Sequence, residues 1–206
     1  IDEIFFQDIM ATLYESPGIH KLLTSLASDV FVPVTVGGGI ATLSDAERLI
    51  RSGADKISVN SAGVQNPSLL SAIARSLGAQ ALVVTVEAKK IENSWEVLTH
   101  SGREASGLLV EDWLAELEGL GAGEILLCSV DRDGTMQGFD PELLSKARAA
   151  TRLPLIANGG FRGSEDAALA HSLGFQGVAI AKAFHTGKTG ISHLKRNLSE
   201  RGIEVR

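Results

Sequence analysis

Two hydrophobic patterns alternate along the chain. Short runs rich in Val, Ile and Leu, apolar at successive positions, predict strands near 3–7, 32–36, 56–59, 81–86, 124–128, 153–157 and 177–180. Between them, apolar residues at helical spacing predict helices near 16–28, 43–52, 67–77, 110–120, 141–149, 164–173 and 190–200. Strands apolar at every position are covered on both faces, which implies a parallel sheet with helical crossovers. One irregular segment, 88–107, runs from Lys89 and Lys90 through Trp95 to His100 and Ser101-Gly-Arg-Glu104. It reads as a small hairpin following a strand, a loop that barrel folds place over the active-site face.

A repeat at an offset of 121 residues chooses between an open sheet and a barrel. Pro33 and Pro154, Gly38-Gly39 and Gly159-Gly160, Gly53 and Gly174, and the runs opening at Glu3 and Glu124 all stand at that spacing. Such a chain reads as a duplicated half-barrel, so a ligand site in one half has a counterpart in the other. Strand 81–86 opens the second half, and its partner would fall ahead of Ile1. The expectation is therefore a single α/β domain over 1–206, a (β/α)8 TIM barrel built from two half-barrels with about one N-terminal βα unit missing, in line with the roughly 250 residues usual for that fold.

Composition narrows the functional classes. The chain has 206 residues, 44% of them hydrophobic and 21% charged, ordinary for a soluble globular domain. A net charge of −6 without Lys/Arg runs excludes an extended nucleic-acid surface. No apolar run reaches the roughly 18 residues of a membrane span, and no signal-peptide pattern opens the chain, so the expectation is no membrane and a cytoplasmic setting. The single cysteine, Cys128, lies in a strand run and reads as a buried free thiol.

Chemistry concentrates at the C-terminal ends of the predicted strands. Gly37-Gly38-Gly39 precedes a predicted helix with Thr42 or Ser44 as caps, where glycines let backbone amides approach an anion and the helix start favours negative charge. Asn60 and Ser61 end the next strand as further donors; Gly159-Gly160 and Ala181-Lys182 occupy the matching places in the second half. Two phosphate cups and a substrate with two similar ends follow from the repeat. Asp8, Glu87 and Asp131 or Asp133 all end strands at this rim, where barrel enzymes carry catalytic groups. An Asp-Gly turn alone explains Asp133-Gly134, but several carboxylates converging on one rim are not explained by packing. At the opposite strand ends Glu3, Lys56 and Glu124 read, on their own, as solvated charges.

Val36-Gly-Gly-Gly-Ile40, Gly53-Ala-Asp-Lys56, Asn60-Ser-Ala62, Gly121-Ala-Gly-Glu-Ile-Leu-Leu127, Asp131-Arg-Asp-Gly-Thr135 and Phe184-His185 together resemble the cyclase subunit of imidazole glycerol phosphate synthase, over essentially the whole chain. The resemblance implies a lyase/cyclase of histidine biosynthesis that joins ammonia to a phosphoribulosyl-formimino carboxamide ribonucleotide, giving imidazole glycerol phosphate and an aminoimidazole carboxamide ribotide. It implies no metal or cofactor, a bisphosphate substrate, and a glutaminase (glutamine amidotransferase) subunit that forms a heterodimer and feeds ammonia through the barrel. Carried over by residue, Gly39, Asn60, Ser61, Gly134, Gly160 and Ala181 resemble phosphate-binding positions and Asp133 a substrate-binding carboxylate. Asp8 resembles a family position at a strand end. Glu3, Lys56 and Glu124 match three of the four charged residues around the ammonia entrance, which changes their reading from solvated charges to a gate.

Three departures bear on the chemistry. The family's catalytic aspartate on the first strand would precede Ile1. Its second, on the fifth strand, is replaced by Glu87, whose extra methylene displaces a carboxyl by about 1 Å, a misplacement worth about a hundredfold in rate. A serine at the second cup is replaced by Lys182, which holds phosphate as a point charge. Glu87-Ala-Lys89, with Ala11-Thr-Leu-Tyr14, looks more like paralogues that use partner-derived ammonia to form acetamidino groups on surface-polysaccharide sugars. The related single-chain isomerase needs no ammonia entrance and fits less well. A reading of another class is a non-catalytic or incomplete barrel.

Overall fold

A computed structural model describes residues 1–8, 23, 25 and 29–205. Seven strands lie parallel in the order β1 (Ile4–Gln7), β2 (Val34–Gly37), β3 (Lys56–Val59), β4 (Leu82–Ile91), β7 (Glu124–Ser129), β8 (Leu155–Asn158), β9 (Gly177–Val178). Between β4 and β7, β5 (Ser94–Thr99) and β6 (Glu104–Leu109) form an antiparallel hairpin that extends β4. The helices whose bounds lie among the described residues are α1 (Leu43–Arg51), α2 (Ser61–Gln65), α3 (Pro67–Leu77), α4 (Val110–Leu120), α5 (Pro141–Ala150), α6 (Ser164–Ser172), α7 (Lys182–His185) and α8 (Ile191–Glu200). This succession of parallel strands and crossover helices is an α/β barrel of the TIM type. The predicted helix at 16–28 and the segment Ala11–Tyr14 lie outside the described residues, apart from Leu23 and Ser25, both helical.

Alternation along the strands sorts side chains into two populations. Val34, Val36, Ile57, Val59, Leu82, Val84, Val86, Ile125, Leu127, Leu155 and Ala157 point outward and join Leu49, Leu70, Ile73, Leu114, Leu117 and Leu143 of the helices in one continuous core. The alternate positions, among them Thr35, Lys56, Ser58, Thr85, Glu87 and Cys128, face the barrel interior. Each crossover is set by local chemistry. Thr42 caps α1, with Thr42 Oγ1 accepting from Asp45 N at 3.2 Å and Asp45 Oδ2 accepting from Thr42 N at 2.9 Å. Asp140 caps α5 ahead of Pro141, and Gly121 ends α4 in the left-handed region.

The repeat is visible in hydrogen bonds as well as elements. β2, α1, β3 and α2 recur as β8, α6, β9 and α7 at the same offset. Val34 N donates to Asp55 Oδ2 at 2.8 Å and, 121 residues on, Leu155 N donates to Gln176 Oε1 at 2.8 Å. Asp166 accepts from Arg162 N and Gly163 N just as Asp45 accepts from Ala41 N and Thr42 N. Part of the glycine signal is structural. A Cβ on Gly38 would lie 2.1 Å from the Asp8 carbonyl oxygen, and one on Gly159 would lie 2.5 Å from that of Ser129, both at positive φ. Gly159→Ala is therefore expected to destabilise the protein by more than about 2 kcal/mol, because strain and a backbone clash add; urea unfolding measures it, and a loss under about 0.5 kcal/mol would contradict the crowding.

Candidate active site

The C-terminal rim gathers the carboxylates around Glu87. Its strand, β4, places Glu87 in register with Cys128 of β7, and Cys128 in turn with Asn158 of β8, so the three side chains share the interior face at one level. Glu87 Oε2 accepts from Asn60 Nδ2 at 2.6 Å and from Gly102 N at 2.9 Å. Burial pushes the Glu87 carboxyl above its ordinary range, those two donors pull it back, and the nearby charge of Asp133 adds to the rise. Cys128 is pushed far above a normal thiol by burial, with Asp133 and Glu87 adding to it, so it is inert as a nucleophile.

Asp131 and Asp133 separate. Asp131 turns toward the hairpin, where its carboxylate meets Lys89 Nζ at 2.7 Å and Lys90 N at 2.8 Å. Burial works against its charge, but these donors outweigh it and hold the carboxyl below its ordinary range. Asp133 sits exposed on the turn after β7, its backbone N–H on Ser129 O at 2.9 Å, close enough to Glu87 to influence its titration. Asp8 follows β1 on the same rim, its N–H donating to Gly37 O at 2.9 Å.

The glycine pairs and their neighbours form two cups at this rim. Gly38 and Gly39 have φ of 107° and 67°; Gly159 and Gly160 have 87° and 102°. Ser61 opens α2 beside the first pair, and its Oγ accepts from His100 N at 2.8 Å. Lys182 opens α7 beside the second, and its Nζ donates to Gly134 O at 2.5 Å, tying that cup to the Asp133 turn. Asn60 is turned from the first cup toward Glu87, with a further donor contact to Leu98 O at 3.3 Å.

At the other end of the barrel the charged strand starts meet. Lys56 Nζ lies 3.0 Å from Glu3 Oε2 and 2.8 Å from Glu124 Oε1. Burial lowers the Lys56 affinity for its proton, but the hydrogen bonds with Glu124 and Glu3 outweigh it and raise the ammonium above its ordinary range. Thr35 Oγ1 donates to Glu3 Oε1. Above this ring, Ser58 Oγ and Thr85 Oγ1 are 2.6 Å apart, and Thr35 and Ser58 are buried. By register, Lys56 and Thr35, then Ser58 and Thr85, then Asn60 and Glu87 occupy successive interior levels, a polar column flanked by Val83 and Leu126.

The family model described as Histidine biosynthesis protein matches residues 1–190. Relatives named imidazole glycerol phosphate synthase subunit HisF include one from Dictyoglomus turgidum, 44% identical over all 206 residues and 82% of its own length. Those from Thermotoga sp. and Thermococcus onnurineus are each 42% identical over the whole chain, covering 81% and 82% of their lengths. The chain belongs to the HisF family.

Of the residues the motifs picked out, the structure joins Glu87 to Asn60, Lys182 to Gly134, and Lys56 to Glu3 and Glu124. Among the residues not singled out from the sequence are Thr35, Ser58, Thr85, His100 and Gly102. Thr35, Ser58 and Thr85 carry a signal, since each is a small hydroxyl inside an otherwise apolar strand run. His100 and Gly102 carry none, because their backbone amides, not their side chains, enter the site.

Proposed function

We propose that the protein is an ammonia-dependent cyclase of the imidazole glycerol phosphate synthase type, acting on a bisphosphate ribonucleotide in histidine biosynthesis with ammonia delivered by a glutaminase subunit. The observation that carries this reading is the polar column, which joins a charged ring at the strand starts to a proton-carrying carboxyl at the strand ends. Ammonia is small and polar, and buried hydroxyls offer it both donors and acceptors in place of water. At the rim, forming carbon–nitrogen bonds requires removal of protons from the incoming nitrogen, and departure of an amine requires return of one. Glu87, half-buried and raised above the ordinary carboxyl range by that burial, suits both steps, with Asp133 and Asp8 as the further carboxylates.

The two cups take the substrate's phosphates, Gly39 with Asn60 and Ser61 at one end, Gly134, Gly160, Ala181 and Lys182 at the other. Crystals soaked in phosphate are expected to show an anion at each cup; none at either would remove the argument for a bisphosphate. The activity itself is tested by incubating the protein with ammonium salt and the phosphoribulosyl-formimino ribonucleotide. Formation of imidazole glycerol phosphate is expected, and none at any ammonium concentration would overturn the histidine reading.

A second reading is favoured by Glu87 itself. A longer carboxyl at this position, in Glu87-Ala-Lys89, fits the paralogues that form acetamidino groups on sugars. Glu87→Asp separates the two: a gain in cyclase turnover supports a diverged histidine enzyme, and a loss supports a dedicated paralogue.

A further inference from the structure

The tip of the β5–β6 hairpin has an unusual backbone. His100, Ser101 and Gly102 have φ of 52°, 59° and 72°, three consecutive residues in the left-handed region, two of them with side chains. A turn wound this way aims successive N–H groups to one side. Two of them enter the active site: His100 N donates to Ser61 Oγ at 2.8 Å and Gly102 N donates to Glu87 Oε2 at 2.9 Å. The tip therefore straps the first cup to the site's buried carboxyl. The His100 ring is directed elsewhere, with Nδ1 3.1 Å from Glu104 Oε2.

We propose that the hairpin tip is a positioning element, in which the Gly102 N–H, with the Asn60 amide, reserves one oxygen of Glu87 and so assigns the proton-carrying role to the other. Oε2 already accepts two hydrogen bonds, whereas Oε1 accepts none among the described residues. A carboxyl whose donors are both on Oε2 protonates on Oε1, which fixes where the proton is given and received. The same strap orients Ser61. Because Ser61 Oγ accepts from His100 N, its own hydrogen is free to donate to an anion in the first cup. On this view Asn60 and Gly102 are positioning residues, and the glutamate's extra methylene is accommodated by the hairpin that meets it. The inference rests on Glu87 being the proton carrier, but the contact can be measured without turnover.

Among the described residues, the groups facing Glu87 are Asp133 from the turn after β7 and Cys128 from β7, with Asn60 and Gly102 as the neutral donors. Removing one donor to the charged carboxylate raises its pKa. In Gly102→Ala space is not the obstacle, since the nearest atoms, the Val130 methyls, would lie 3.6 Å from the new Cβ. The obstacle is φ: a third side chain would be forced into the left-handed region, and the tip relaxes away from Glu87. Gly107→Ala is the matched control, a glycine of the same hairpin with φ of 79° and open space around it, not bonded to Glu87.

The experiment follows the Glu87 carboxyl carbon by NMR as pH is varied. Gly102→Ala is expected to raise its midpoint by about one pH unit, the size of one hydrogen bond to a charged group, while Gly107→Ala leaves it in place. In turnover, the pH limb set by Glu87 moves upward by the same amount and kcat falls more than KM changes. An unmoved midpoint in Gly102→Ala, or an equal shift in Gly107→Ala, overturns the proposal. Should Gly102→Ala not fold, the wild type decides: the Gly102 amide proton must titrate with the Glu87 midpoint, and a flat response rejects the strap. A coupled titration in a protein that turns over neither candidate substrate would leave the strap standing and reject the functional reading.

Discussion

Asp133→Asn is expected to lower kcat by about 10²–10⁴-fold, the range of one general acid–base group, while leaving the fold intact. The fold survives because Asp133 is exposed and holds its turn through its backbone N–H, which donates to Ser129 O, and not through the carboxylate. The chemistry suffers for two reasons. On the proposed mechanism a proton carrier is lost beside Glu87, and with it the charge that adds to the rise of the Glu87 carboxyl. Asp133 raises the Glu87 carboxyl by like-charge repulsion, so its neutralisation lowers that pKa. The remaining activity should therefore show its Glu87-controlled limb at lower pH, opposite in sign to the shift expected for Gly102→Ala. Steady-state kinetics across pH read both effects, and near-wild-type kcat in Asp133→Asn would return Asp133 to the role of a turn residue. Glu87→Gln is the companion, because it keeps the shape and the Gly102 contact but carries no titrating proton.

The frame of the molecule was readable because covered parallel strands need apolar residues on both sides. β3, α3 and α4 have the predicted bounds, and α1, α5, α6, α8 and the hairpin differ only at their ends. The offset of 121 residues paired elements correctly, down to the Asp45 and Asp166 caps. Two kinds of feature escaped. The short helices α2 and α7 are single turns at the strand ends, too brief to show a period. The interior column went unread because the signal of Thr35, Ser58 and Thr85, small hydroxyls within apolar runs, is faint, and continuous apolarity hides which face a polar residue interrupts. Charge also misleads about direction. Asp131 and Asp133 stand two residues apart in one motif, yet one is paired with Lys89 outside the barrel and the other faces Glu87. Asn60, carried over as a phosphate donor, spends its amide on that same carboxyl. The tip amides were beyond reach, since nothing in Ser101-Gly-Arg-Glu104 states where an N–H will point.

Lys56→Ala is expected to damage glutamine-dependent turnover in complex with a glutaminase by tenfold or more relative to turnover with free ammonium salt. Lys56 spans Glu3 and Glu124 and lies at the strand starts, the opposite end of the barrel from Glu87 and both cups, so it cannot touch a substrate bound at the rim. Its loss leaves two carboxylates facing one another without a cation, and like charges in a half-buried ring repel and draw in water and cations. An opening that is permanently wet passes ammonia from solution as readily as from a partner and leaks what the partner supplies. Ammonium-dependent turnover then stays within a few-fold of wild type, since the carboxylates at the rim are unchanged. Lys56→Met adds a second comparison, because it keeps the bulk of the side chain while removing its charge. If both substitutions reduce the two nitrogen sources equally, the ring is a structural ion cluster at the base of the barrel and ammonia does not pass between Glu3, Lys56 and Glu124.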